Sequence, residues 1–154
     1  GITFDGTDLV RHLKGCSSLL LFAATLGVEA DRMARMESLR SMARGSMVHA
    51  AGAAMIEQYC DDVQEALSTE YEARGLYLRP RYSPGYGDLS LSRQADFFRL
   101  LELPKRLGLS LNEHFIMTPS KSVTAVIGIS AEPKKSFRKC RNCGRIDCPF
   151  RREG

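Results

Sequence analysis

Helix-like and strand-like stretches alternate in this chain without a regular βαβ repeat. That order restricts the fold more than any single residue does. Ser18–Thr25 (Ser-Leu-Leu-Leu-Phe-Ala-Ala-Thr) reads as a buried strand, with Gly27 turning the chain. Ahead of it, Thr7 or Asp8 is placed to cap a short helix, residues 9–14, ended by Gly15. Residues 28–44 read as a helix with Val28, Met33, Met36, Leu39, Met42 and Ala43 near one face. Gly45 is expected to break it and Ser46 to cap the longest helix, residues 47–73. The first half of that helix, Ala50-Ala51-Gly52-Ala53-Ala54, is small enough for a neighbouring backbone to come close. Its second half is acidic and reads mostly as a solvated face. Glu57 stands apart, just after the small apolar stretch. A short apolar run, Leu76-Tyr77-Leu78, leads to a loop and then to a helix over 93–102 striped by Phe97, Phe98, Leu100 and Leu101. Pro104 ends it, and residues 105–107 add one turn. Residues 114–117 and Ser122–Ser130 are predicted strands, and the four residues between them suit a hairpin. In the second strand Val123, Ala125, Ile127 and Ile129 share one face. The expected class is α+β with an antiparallel sheet.

An apolar content of 44% in 154 residues supports one domain, with room for a tail. No apolar run approaches the roughly 20 residues that span a bilayer, so no membrane partner is expected. The start has neither the basic nor the apolar segment of a signal peptide. It also lacks a methionine, which reads as a piece of a longer polypeptide. Charge is uneven. Residues 134–154 hold eight basic and two acidic side chains, so the rest of this +4 chain is slightly negative. A basic nucleic-acid face on the globular part is therefore not expected. Residues 1–133 are read as the folded domain and residues 134–154 as a basic cysteine-rich tail. Five cysteines without an export signal point to a reducing, cytoplasmic compartment rather than a disulfide framework.

Two segments carry candidate chemistry. The first is the loop Arg81-Tyr82-Ser83-Pro84-Gly85-Tyr86-Gly87-Asp88. Arg81 offers a fork of donors suited to a carboxylate, Gly85 can take a positive φ, and the tyrosines offer flat faces with polar tips. It reads either as a small-ligand loop or as a plain proline–glycine turn. The second is the tail motif Cys140-Arg-Asn-Cys143, with Cys148 five residues on. Three soft ligands on a basic segment suit zinc or an iron–sulfur cluster, with Cys16 or Cys60 available as a fourth. A thiol-bearing tail without metal is the other reading. No HExxH, P-loop, nucleophile elbow or GxGxxG turn is present, and no acid/base pair stands out. The chain reads as a binding domain rather than a self-contained enzyme.

Three segments in order carry a family resemblance. They are Arg81-Tyr-Ser-Pro-Gly-Tyr86, Phe97-Phe-Arg-Leu-Leu-Glu102, and Glu113-His-Phe-Ile-Met117-Thr-Pro119-Ser-Lys-Ser122-Val123. Together they resemble the activation domain of vitamin B12-dependent methionine synthase. The N-terminal half, with Ala54-Met-Ile-Glu57, and the cysteine tail look like the short stand-alone members of that family. The resemblance implies a C-shaped single domain, a twisted antiparallel sheet with flanking helices, that binds S-adenosylmethionine. It implies that Arg81 meets the ligand carboxylate and that Ser83 and Gly85 lie in the loop whose backbone holds the adenosine. It also places Tyr86 near the transferred methyl and matches Glu57 to a helix glutamate of the family. Arg81 is preferred to Arg79 because it keeps the family's distance to Gly85-Tyr86, although Tyr82 replaces the family's proline.

The implied function is reductive remethylation of cob(II)alamin on cobalamin-binding methionine synthase modules, with a flavodoxin-like electron donor. The cobalamin would be held by that partner. The competing expectation is a metal- or iron–sulfur-binding redox protein working through Cys140, Cys143 and Cys148.

Overall fold

The computed structural model describes residues 6–133. In chain order the elements are α1 (Thr7–His12), β1 (Ser18–Thr25), α2 (Val28–Arg40), α3 (Met42–Glu72), β2 (Tyr77–Leu78), α4 (Gln94–Leu100), α5 (Leu103–Leu107), β3 (Ser110–Leu111), β4 (Met117–Thr118) and β5 (Ser122–Ser130). The expected α+β class, an antiparallel sheet with flanking helices, is the observed one. β5 runs down the middle of a three-stranded sheet, between β1 and β2 and antiparallel to both.

The alternation read from β5 is what lets one strand build two cores. Ala125 and Ile127 point to one side, where they join Phe22, Ala24, Ile56 and Cys60 under α3. Val126 points to the other, where it joins Leu9, Leu89, Phe97, Phe98, Leu103 and Leu109 from α1, the loop and α4–α5. From Thr124 to Ser130 every residue of β5 is buried, because helices cover both faces.

Three boundaries differ from the sequence expectation. First, the strand at 114–117 does not form a hairpin with β5. Both edges of β5 are already taken, and β4 pairs instead with β3 (Leu111↔Met117). Asn112 sets the intervening turn. Its side-chain oxygen accepts the N–H groups of His114 and Ile116, each at 2.9 Å.

Second, the break between the two long helices falls at Ser41, which is extended (φ −163°, ψ 129°), not at Gly45. Gly45 lies inside α3 and is buried there because α2 crosses it. A Cβ at Gly45 would stand 2.0 Å from Ser38 Oγ and 2.8 Å from Ser38 Cα. Small residues thus serve the α2–α3 contact: Ser38 packs directly against Gly45, and Ala34 is buried on α2. The apolar stripe of α2 faces outward instead: Met33 is 60% exposed and Leu39 80%.

Third, α1 has no cap from its own first turn. Asp88, 80 residues on, accepts from the Asp8 N–H (3.1 Å) and the Thr7 hydroxyl (2.9 Å). Those donated hydrogen bonds, the Asp8 N–H foremost, hold the Asp88 carboxyl below the usual carboxylate range. They also tie the end of the glycine-rich loop to the N-terminus of α1.

Candidate ligand cleft at Arg81

The loop after β2 begins as a continuation of the sheet. Arg79 N–H donates to Gly128 O at 2.8 Å, and Tyr82 exchanges two 2.9 Å backbone bonds with Val126. The two arginines separate at this point. Arg79 is 4% exposed and packs beside Gly128 on the α1 side; its Nε and Nη1 are buried without a hydrogen-bond partner. Arg81 reaches α3 on the opposite side of the sheet.

Four groups of α3 receive the Arg81 guanidinium. Nη1 donates to the Cys60 carbonyl (2.8 Å) and to Gln64 Oε1 (3.1 Å). Nη2 donates to Asp61 Oδ1 (2.6 Å) and lies 3.5 Å from Glu57 Oε2. The Arg81 side chain is mostly buried, whereas both carboxylates are two-thirds exposed. Beside this contact opens a cleft of about 410 Å³ lined by Asp61, Gln64, Glu65, Ser68, Pro80 and Arg81. A cleft of that size falls within the ~300–1,000 Å³ range of small-molecule sites. Burial holds the neighbouring Cys60 thiol up, so it stays protonated as packing beneath Arg81.

Beyond Arg81 the chain makes a tight loop. Tyr86 N–H donates to Ser83 O (3.1 Å) over Pro84-Gly85, and Gly85 N–H donates to Leu89 O (2.8 Å). Gly85 (φ 87°) sits in the left-handed region that its missing side chain permits. At Gly87 a Cβ would stand 2.3 Å from the Tyr82 hydroxyl, so the loop closes on Tyr82. Tyr82 in turn packs beside a tilted His12 ring and edge-on to Tyr86. Tyr86 is 65% exposed and offers its ring to solvent.

Of the sequence-derived site residues, the structure brings Glu57 and Arg81 together and places Ser83, Gly85 and Tyr86 in one loop that follows Arg81 directly. Sequence reading left Asp61 on the solvated acidic face and passed over Gln64. Their signal was present: Glu57, Asp61, Gln64 and Ser68 recur at helical spacing on one side of α3. Cys140, Cys143 and Cys148 lie outside the described residues. Among the described residues, no group of three or more His, Cys, Asp or Glu side chains could hold a metal. No helix among them is long and apolar enough to cross a membrane.

This architecture is an α+β fold with an arginine-edged cleft between helix and loop, a shape that suits a small molecule. The comparisons make it more particular. Residues 19–147 match the family described as vitamin B12-dependent methionine synthase, activation domain, and the chain belongs to that family. A solved structure, the MetH reactivation domain bound to AdoHcy, superimposes with a TM-score of 0.62 at 25% identity. The likeness covers 75% of this chain and 40% of that one, so the present sequence spans well under half of that protein's length. No curated protein matches the chain.

Proposed function

We propose that this chain binds S-adenosylmethionine in the Arg81 cleft and supports reactivation of cobalamin-dependent methionine synthase. The observation that carries the reading is the placement of Arg81. It is fixed from below by Cys60 O and Gln64, borders an open cleft, and faces two exposed carboxylates. The amino-acid end of S-adenosylmethionine has the complementary charges, an anionic carboxylate and a cationic ammonium. The MetH reactivation domain was solved with AdoHcy, which supports the same ligand class here.

In this reading Arg81 takes the ligand carboxylate and Glu57 attracts its cationic groups. Ser83 and Gly85 offer loop backbone to the adenosine, and Tyr86 lies towards the methyl. The ligand, when bound, supplies a methyl group for reduced cobalamin held by partner methionine synthase modules. One electron, from a flavodoxin-like donor, accompanies the transfer to cob(II)alamin. The chain's own contribution is orientation of the ligand, since none of these residues is an activated nucleophile. The reading places the protein in the cytoplasm and assigns the binding to residues 1–133.

Isothermal titration with S-adenosylmethionine tests the proposal. Arg81→Ala should weaken binding about 10- to 100-fold, the loss of a charge-assisted pair. Absence of binding by the wild type, or unchanged binding in Arg81→Ala, would overturn it.

A further inference from the structure

We propose that Asp61 is a built-in competitor for the ligand carboxylate, an occupant of Arg81 that must leave when ligand arrives. The inference rests on the reading of the cleft as an S-adenosylmethionine site and adds a residue to it. A guanidinium offers five N–H donors in a fixed fork. Nη1 of Arg81 is committed to the Cys60 main-chain carbonyl, fixed in α3, and to the half-buried Gln64, which is itself held by its Nε2 bond to Arg79 O. The edge that remains for a two-point carboxylate contact is the one formed by Nη2 and Nε. Nη2 is taken by Asp61 at 2.6 Å, with Glu57 further away at 3.5 Å. Ligand carboxylate and Asp61 therefore compete for the same nitrogen.

The exchange is chemically reasonable on both sides. Asp61 is 67% exposed, so its carboxylate can rotate into water, and pairs with exposed carboxylates are weak. Arg81 keeps its orientation meanwhile, because Nη1 stays anchored. Once Asp61 has rotated away, Glu65, which also lines the cleft, is the carboxylate that faces the incoming ammonium. The arrangement favours a zwitterionic amino-acid end over a nucleoside that lacks one. It also keeps Arg81 from capturing simple anions at low concentration.

The test is titration of the purified chain and its Asp61→Asn and Arg81→Ala variants with two ligands, S-adenosylmethionine and 5′-methylthioadenosine. The second ligand keeps the nucleoside and thioether but has no amino-acid end. Asp61→Asn should bind S-adenosylmethionine about two- to tenfold more tightly, the effect of removing one weak competing pair. Its affinity for 5′-methylthioadenosine should not change. Equal or weaker S-adenosylmethionine binding by Asp61→Asn, with a normally binding wild type and an Arg81→Ala that loses affinity, sinks the competitor role and leaves the ligand reading standing. Failure of the wild type to bind removes both. Asp61→Ala, with thermal melting to confirm the fold, distinguishes loss of the charge from an effect of the asparagine amide. It too must tighten binding, and failure to do so counts against the proposal.

Discussion

Thr124, in the middle of β5, donates its hydroxyl to Gln94 Oε1 at 2.7 Å, and both side chains are buried. The bond ties the central strand to the first turn of α4. Gln94 Nε2 extends it to Phe115 O at 3.4 Å, in the β3–β4 turn. One buried amide thus locks three separate segments.

Thr124→Val keeps the shape and removes the donor. It leaves Gln94 Oε1 buried without a hydrogen bond, which should cost about 1–3 kcal/mol in urea unfolding. Gln94→Met in the Thr124→Val background should cost less than the sum of the two single changes, because the orphaned oxygen is gone. Full additivity would show that the two residues act independently.

Gly45→Ala tests the α2–α3 crossing. Alanine gains about 1 kcal/mol of helix propensity over glycine in a helix interior. Against that, the new methyl would stand 2.8 Å from Ser38 Cα, a backbone atom with no rotamer to escape into. The clash should win, with a net loss of about 1–3 kcal/mol. Circular dichroism melts of Gly45→Ala beside Gly45→Ala/Ser38→Gly check the assignment. The second change should recover only part of the loss, since it removes the 2.0 Å contact with Ser38 Oγ but not the one with Cα.

These elements show why some of the structure was legible in the sequence. The β5 alternation survived because a strand covered on both faces must place Ala125 and Ile127 opposite Val126, whatever its neighbours are. The Glu57–Arg81 encounter followed from a resemblance, not from periodicity. What failed were inferences about partners. The apolar residues of α2 group on one face of the helix, yet that face lies in solvent and it is Ser38 that packs against Gly45. The 114–117 segment looked like a hairpin arm because the linker length fits, but β5 had no free edge. Asp61 was lost among acidic residues because its significance depends on Arg81, 20 residues away in sequence.

Arg79 and Arg81 offer a paired prediction. Arg79 buries two N–H donors without partners, so Arg79→Met should be neutral or stabilising by about 1 kcal/mol. It should also leave S-adenosylmethionine affinity within about twofold of wild type, since the side chain lies on the α1 side of the sheet. Arg81→Met should weaken binding and also cost about 1–3 kcal/mol of stability, because the Cys60 carbonyl and Gln64 Oε1 lose their donor, while its pairs with exposed carboxylates add little. Thermal melts and titrations of both variants check this, and exchanged phenotypes would assign the ligand arginine to position 79.

The last prediction concerns acid. Asp31, in the first turn of α2, accepts from Ser120 N–H at 2.7 Å and from the Ser120 hydroxyl at 2.5 Å, joining α2 to the loop before β5. Burial opposes ionisation of this carboxyl, but the two Ser120 bonds and the nearby Lys121 and His49 outweigh it, so its pKa lies below the model-compound value of 3.8. A carboxyl whose folded pKa is depressed binds protons less readily in the folded than in the unfolded state. Its stabilisation is therefore fully present above about pH 5 and disappears as pH falls through the folded value, below 3.8. Asp31→Asn should be less stable than wild type by about 1 kcal/mol between pH 5 and 8, the scale of charge-assisted bonds partly screened by water. The two proteins should converge in urea unfolding as pH is taken below 3.8. A gap that persists undiminished in acid would mean that the asparagine perturbs packing of α2, and that the Asp31 charge is not what the Ser120 loop reads.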